Sequence, residues 1–248
     1  MPYIIPKYPN VTWPINEGTI GVVGVAPWAT LDFCKKVYEQ KKATKDWEYP
    51  RLIIDANSKI PSRGRHLELG ERDPSPFITT TINELASAGA TVAVVPCNTA
   101  HILFDRWGAA AAIPVINIVN ASVKQLCKGR PIKATVLGSS HLIQSNIYKQ
   151  AIESGKFTYI NVDEKGQILI NQLIAHLKCT PCLTPELESK LYTLVQRLFS
   201  SEINVIILAC TELGLISKHP VWEGIRVVDS NEALAIEALK AITPDIYA

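Results

Sequence analysis

The sequence predicts an α/β protein made of two pseudo-symmetric domains, each an open parallel sheet, with the active site in the cleft between them. Two observations predict this fold class. Short, β-branched apolar runs alternate along the chain with longer stretches of helical periodicity, a pattern typical of parallel sheets covered by helices. The chain also repeats one arrangement, in which a strand ending in glycine is followed, at a similar distance, by a strand ending in cysteine.

The individual elements follow from these runs in chain order. Strands are predicted at 19–25, 52–54, 91–95, 115–118, 134–137, 157–160, 205–208 and 226–228. Clear helical periodicity covers 76–88 and 186–200, where Pro185 marks the start of the second helix and Gly89 the end of the first. Because strands and helices alternate, each helix is expected to connect two parallel strands.

The repeat brings two cysteines to equivalent positions. Gly24 and Gly138 each follow a predicted strand, and Cys97 lies 73 residues after the first glycine, while Cys210 lies 72 after the second. In open parallel sheets, ligands bind beyond the carboxyl ends of the strands. If the halves face each other, the two thiols are therefore expected across one cleft.

Composition limits the class of protein. The 248 residues are 47% hydrophobic, and 25 Lys and Arg oppose 23 Asp and Glu, so the charge is too small to favour nucleic acid or an anionic membrane. The start does not resemble a signal peptide, and no apolar run is long enough to span a membrane. A cytoplasmic protein with reduced cysteines is expected. The predicted domains are 18–117 with 227–248, and 118–226, after an extension at 1–17.

Two opposed thiols suit the inversion of a carbon centre. Inversion needs a base on one face and an acid on the other, and a cysteine pKa near 8.5 allows one partner to be thiolate and the other thiol. Strand ends that lead into helices favour a thiolate at Cys97 and Cys210. A cysteine after a buried strand is also commonly a small core residue. Its occurrence at matching positions of two repeats favours the catalytic interpretation.

The two cysteine segments resemble the signatures of a known family. Pro96-Cys97-Asn98-Thr99-Ala100-His101 and Ala209-Cys210-Thr211-Glu212-Leu213 are similar, in order, to the catalytic motifs of the aspartate/glutamate racemase superfamily. The chain is most like the aspartate racemases from about Gly18 onward, with a weaker likeness to those of cyanobacterial peptide-synthetase clusters. The resemblance implies interconversion of L- and D-aspartate by Cys97 and Cys210, with no cofactor or metal, in a homodimer.

The same resemblance implies a set of substrate-binding residues. Arg63 lies in Ile60-Pro61-Ser62-Arg63, where the family holds a substrate carboxylate, and Lys178 falls where the family places a lysine on the side-chain carboxylate. A planar guanidinium can bind a carboxylate bidentately. The remaining candidates are polar residues of the motifs and of one loop: Asn98, Thr99, Ser140, Thr211 and Glu212.

The chain departs from the family in three places. The loop that begins at Gly24 has fewer glycines and is one residue shorter than in many relatives, and Asn120 stands where relatives commonly carry an acidic residue. The opening segment, up to Glu17, has no family counterpart.

Other interpretations stay open. Cys179-Thr180-Pro181-Cys182 has the spacing of redox and zinc motifs, although no second pair accompanies it. Glutamate racemases, hydantoin racemases, maleate isomerases and arylmalonate decarboxylases share the scaffold. A non-catalytic protein that closes over a dicarboxylate is the alternative of another class.

Overall fold

The computed structural model describes residues 17–126 and 132–243. The elements that build the first half are β1 (Thr19–Val23), α1 (Pro27–Lys41), β2 (Arg51–Asp55), α2 (Arg63–Leu69), α3 (Ser75–Ser87), β3 (Val92–Val94), α4 (Phe104–Trp107) and α5 (Ile118–Lys124). Those that follow are β4 (Lys133–Leu137), α6 (Ser140–Gln144), α7 (Ile147–Ser154), β5 (Thr158–Tyr159), α8 (Glu164–Leu177), α9 (Pro185–Ser200), β6 (Val205–Leu208), β7 (Arg226–Asp229) and α10 (Ser230–Ile242). Short 3-10 helices occupy Asp46–Glu48, Asn98–Leu103, Leu213–Ile216 and Pro220–Trp222.

All strands pair in parallel, in two sheets that confirm the predicted fold class. The first sheet has the order β2-β1-β3, extended by a parallel bridge from Ala93 to Val115, and the second has the order β5-β4-β6-β7. The central strands β1 and β4 occupy equivalent positions, as do β3 and β6, which precede the two cysteines. The repeat in the sequence is therefore a repeat in topology.

The predicted strand at 115–118 is mostly absent. Only Val115 makes a bridge, and α5 begins at Ile118. The side chain of Asn117 accepts hydrogen bonds from the backbone N–H groups of Val119 and Asn120, which caps the helix in the manner that asparagine favours. The apolar run at 115–118 is therefore too short to distinguish a strand from the start of a helix, since Asn117 caps α5 and Ile118 is its first residue.

The last strand lies in the second sheet. Residues 227–229, predicted to return to the first half, pair with β6 through Val227 and Ile206 and their neighbours. The helix that follows, α10, packs against α1 and β1 of the first half as well as against α5. The predicted domain limits stay a prediction, and residues 1–16 and 244–248 lie outside the described residues.

Three apolar clusters hold the halves. A central core combines buried residues of both sheets, such as Val22 and Val136, with α5 and α10 between them. One outer cluster packs α8 and α9 on the second sheet, and another packs α3 on the first. Because the central core is shared, the two sheets are joined by apolar burial as well as by the chain. No helix within 17–126 and 132–243 is long and apolar enough to cross a membrane.

Candidate active site

The first cysteine turn follows β3. Cys97 is half-buried, its N–H donates to the Val95 carbonyl at 2.7 Å, and a 3-10 helix begins at Asn98. Nδ1 of His101 lies 2.9 Å from the Cys97 carbonyl oxygen. Burial lowers the pKa of His101 to about 4, so this imidazole is neutral near pH 7. The first turn is therefore held by a neutral side chain.

The second cysteine turn follows β6 and carries a charge. Cys210 is only 8% exposed, and its thiol donates to Oε2 of Glu212 over 2.9 Å. Burial and the neighbouring Glu212 carboxylate raise the pKa of Cys210 well above its usual range, against an opposing effect of Lys178. A Cβ on Gly138 would lie 3.1 Å from the Ala209 carbonyl oxygen, so glycine lets this loop approach the turn closely.

Both cysteines line one cavity of about 330 Å³ between the halves. Of the predicted site residues, the structure brings eight to this cavity: Arg63, Cys97, Asn98, Thr99, Lys178, Cys210, Thr211 and Glu212. The cavity is also lined by residues that were not among the predicted site residues: Ala26, Ser62, Gly64, Arg65, Glu68, Ser139, His141, Asn171, Ile174 and Ala175. Cavities of this size, with a few converging polar groups, are typical of small-molecule sites.

Ser140 is not among the lining residues, and its neighbour Ser139 is. The Ser140 hydroxyl accepts a hydrogen bond from Nδ2 of Asn171 at 2.7 Å, while Ser139 caps α6 through the N–H of Leu142. The first helical residue therefore points toward α8, and the preceding cap residue faces the cleft. The position directly after Gly138 is the sequence signal that Ser139 faces the cleft, because the side chain of an N-cap residue lies at the N-terminal end of its helix.

The two turns present unused backbone donors. Within the described residues, the N–H groups of Asn98, Thr99, Thr211 and Glu212 donate to no protein acceptor, whereas those that follow close the turns onto the Cys97 and Cys210 carbonyls. The first N–H groups of a helical turn have no partner inside it. Two pairs of donors thus stand beside the two sulfurs and suit an anionic group.

The polar side chains of the first turn connect the halves. Nδ2 of Asn98 donates to the Ser230 hydroxyl at 2.9 Å, and its Oδ1 accepts from Tyr148 at 2.6 Å. The Thr99 hydroxyl lies 3.4 Å from that of Ser139 across the cleft. The Asn98 amide is therefore largely engaged, which leaves its backbone N–H as its more available donor.

Arg63 is anchored to the backbone at the first half's side of the cavity. Its Nη1 donates to the carbonyls of Ile60 at 3.3 Å and Pro61 at 3.1 Å, and its Nη2 donates to Val25 at 3.2 Å. A guanidinium has five N–H groups, and three of those of Arg63 donate to these carbonyls. Most of the fork expected to bind a carboxylate bidentately is therefore occupied. The arrangement fixes a positive charge and leaves few free donors.

Lys178 is the exposed residue after α8, and it makes no ion pair with any other residue in the described ranges. The adjacent Cys179 and Cys182 are both free and exposed. The described residues hold no group of three metal-ligating side chains, and a zinc site needs about four. Of the other two cysteines, Cys34 is buried in α1, and Cys127 lies outside the described residues.

Comparisons with known proteins agree with this geometry. A profile of the Asp/Glu/hydantoin racemase family matches residues 20–238. The chain is 29% identical over 224 residues to the broad specificity amino-acid racemase RacX of Bacillus subtilis, covering 87% of this chain and 94% of that protein.

Solved structures resemble the fold closely. Picrophilus torridus aspartate racemase superposes with a TM-score of 0.81 at 24% identity, covering 91% of this chain and 94% of that one. A glutamate racemase from Bacillus anthracis gives a TM-score of 0.69 at 21% identity, over 92% and 83% of the two chains. These likenesses show a common fold.

Proposed function

Because the chain belongs to the Asp/Glu/hydantoin racemase family, and is therefore an amino-acid racemase, we propose that it interconverts L- and D-aspartate by proton transfer between Cys97 and Cys210. The observation that carries this proposal is the shared cavity, which both cysteines line from equivalent strand ends of the two halves. A base and an acid on opposite sides of one carbon avoid moving the proton around the substrate.

The two cysteines together account for the proton that is removed and the proton that is returned. One cysteine, as thiolate, takes the α-proton and becomes a thiol, and the electron pair of the broken C–H bond stays on the substrate carbon. The opposite thiol then gives its proton to the other face and becomes the thiolate. Because burial and Glu212 raise the pKa of Cys210, Cys210 is the thiol of the unliganded enzyme. Each turnover exchanges these roles.

The substrate carboxylates have two kinds of partner. The free N–H groups of the two turns, with the Thr99 and Thr211 hydroxyls, suit the α-carboxylate, and donors there stabilise the charge that develops as the proton leaves. Glu212, which already accepts from Cys210, suits the substrate ammonium. Arg63 and Lys178 supply positive charge for the second carboxylate of an acidic amino acid.

A broad-specificity racemase is the second candidate. It is favoured by the likeness to RacX and by the apolar part of the cavity wall, where Ala26, Ile174 and Ala175 face the substrate space. These apolar side chains form no hydrogen bond with a substrate side chain, so they do not exclude a substrate that lacks a second carboxylate. A glutamate racemase is the third member of the same class. A homodimer and a cytoplasmic location stay predictions.

The deciding experiment follows inversion and α-proton exchange in deuterated solvent, on aspartate, glutamate and alanine side by side, with no pyridoxal phosphate or metal added. We expect exchange and racemisation of aspartate, with the highest kcat/KM of the three. Comparable rates on alanine would support the broad-specificity candidate instead. Binding of aspartate with no α-proton exchange would identify a binding protein and overturn the proposal.

The variant Lys178→Ala tests selectivity in the same assay. It should lower kcat/KM for aspartate more than for alanine, because aspartate has a second carboxylate to pair with the removed charge and alanine has none. Lys165→Ala on the same helix, outside the cavity lining, is the matched control for a lost surface lysine. Unchanged selectivity in Lys178→Ala would remove its assigned role.

A further inference from the structure

Lys36 is a buried lysine that reaches from the first half to the second cysteine turn. It lies in α1 with 5% of its surface exposed. Its Nζ donates to Oδ2 of Asp32 at 2.6 Å, to Oδ2 of Asp229 at the end of β7, and to the carbonyl of Gly214 at 3.1 Å. Gly214 lies four residues after Cys210. All three ammonium protons are therefore used, and one holds the catalytic turn.

The environment keeps Lys36 charged. Burial lowers the pKa of its ammonium, but the Asp229 and Asp32 carboxylates outweigh this effect and leave the pKa above its ordinary value. The carboxylates are fixed in turn, since Asp229 accepts from the N–H of Asn231 at 2.8 Å, and Asn231 donates to Asp32 at 2.8 Å. Because each ammonium proton of Lys36 has an acceptor that is itself held in place, the side chain is fixed in one position.

Gly214 transmits this contact to the sulfur. A Cβ there would lie 2.9 Å from Lys36 Nζ and 3.1 Å from both Asp229 carboxylate oxygens, so a side chain at this position would displace this ion pair. The turn closes on itself, because Leu213 N–H donates to the Cys210 carbonyl at 2.9 Å and Gly214 N–H donates to the Thr211 carbonyl at 3.2 Å. Movement of the Gly214 carbonyl therefore moves the backbone of Cys210.

Tyr148 makes the reciprocal contact. It is 2% exposed on α7, in the half that carries Cys210. Its hydroxyl donates to Oδ1 of Asn98, the residue after Cys97, at 2.6 Å, and lies 3.2 Å from the Ser122 hydroxyl. Asn98 is held from its other end by Ser230. The first turn is thus held by a helix of the second half.

Each cysteine turn is therefore held by one buried side chain of the opposite half. We propose that Lys36 and Tyr148 are reciprocal positioning residues, which set where the sulfurs of Cys210 and Cys97 stand across the cleft. The inference rests on the proposed racemase function. Proton transfer between opposed groups depends steeply on their placement, and a displacement of about 1 Å can cost about 100-fold in rate. A contact made across the cleft fixes the relation between the two thiols directly.

Exchange and inversion report on the two thiols separately. The cysteine that removes the α-proton of one enantiomer can return a solvent deuteron to the same face, which gives exchange without inversion. Inversion needs both thiols. Displacing Cys210 therefore lowers exchange of the enantiomer that Cys210 deprotonates, while the other enantiomer still exchanges at Cys97.

The experiment compares Lys36→Met with Tyr148→Phe in the full chain. For each aspartate enantiomer, exchange is measured by proton NMR in deuterated solvent and inversion by circular dichroism. We expect inversion to fall about 10-fold or more in both variants, since this is within the range for a misplaced acid or base. The ratio of exchange for L- over D-aspartate should shift in opposite directions in the two variants. Equal loss of exchange for both enantiomers, or an unchanged ratio, would overturn the inference.

Two further variants separate positioning from folding. Thr135→Val removes the 2.8 Å hydrogen bond from β4 to the Ile160 carbonyl after β5, which involves neither cysteine turn, and should keep the wild-type ratio. Lys36→Arg keeps the charge while altering the contact with Gly214, and should shift the ratio in the same direction as Lys36→Met, by less. If Lys36→Met does not fold, Lys36→Arg and the nearly isosteric Tyr148→Phe decide the question. A wild-type enzyme that exchanges no aspartate α-proton would instead refute the proposed function.

Discussion

The two cysteine turns follow equivalent strands but differ in their surroundings. Cys97 is half-buried and its turn rests on a neutral histidine, whereas Cys210 is buried against Glu212 in a turn held by the charged Lys36. A duplicated fold thus supplies matching positions, and the side chains around them differentiate the two thiols. In a two-base mechanism this difference is useful, because one thiol must hold a proton while the other lacks it.

The largest effect is expected when each of the two cavity sulfurs is removed in turn. Cys97→Ala and Cys210→Ala should each lower net racemisation by roughly 10²–10⁴-fold, the usual contribution of a general acid or base. Chiral chromatography of aspartate measures the loss. Cys34→Ala removes a buried thiol outside the cavity, with a pKa raised by burial to about 11, and serves as the control. Wild-type rates in either cavity variant would refute the two-base assignment.

The next effect concerns acid stability of the first turn. The pKa of His101 is lowered by burial to about 4 from its ordinary 6.5, so between these values the unfolded chain binds a proton that the folded chain does not. The free energy of unfolding should therefore rise with pH across this window and fall on acidification, by on the order of 3 kcal/mol.

Urea denaturation at several pH values between 4 and 7 measures this dependence. His101→Gln should flatten it, because glutamine does not titrate. His176→Gln is the control, since His176, in the last turn of α8, also lies near a backbone carbonyl, that of Cys182 at 2.8 Å, but this contact is exposed. A wild-type slope in His101→Gln would show that the acid sensitivity originates elsewhere.

The smallest expected effect tests how the charge of Glu212 acts on Cys210 at the second turn. Glu212→Gln removes the carboxylate that, after burial, most raises the pKa of Cys210. The limb of the pH profile of kcat/KM that depends on Cys210 should therefore move to lower pH. Glu68→Gln, at the other cavity carboxylate, should leave that limb in place. A shift to higher pH in Glu212→Gln would contradict the assignment.

Much of the site was predictable from short motifs. Cys97 and Cys210 follow buried strands at matched spacing, and this local pattern was sufficient to predict one cleft lined by both. The position of Ser140 outside the cavity lining has a local cause, since only the helix cap decides which of two adjacent serines faces the cleft. The strand expected at 115–118 failed for the same reason, because the cap at Asn117 outweighs β-branched composition.

The parallel α/β class, the repeat and the two thiols can be read from neighbouring residues alone, because strand periodicity and residue chemistry are local properties. Tertiary structure decided which groups surround each thiol. Lys36 and Gly214 are 178 residues apart, and Tyr148 and Asn98 are 50 apart, so no local pattern relates them. Only the packing of one half on the other buries these side chains together, and burial is what makes their few hydrogen bonds and charges strong enough to differentiate the two cysteines.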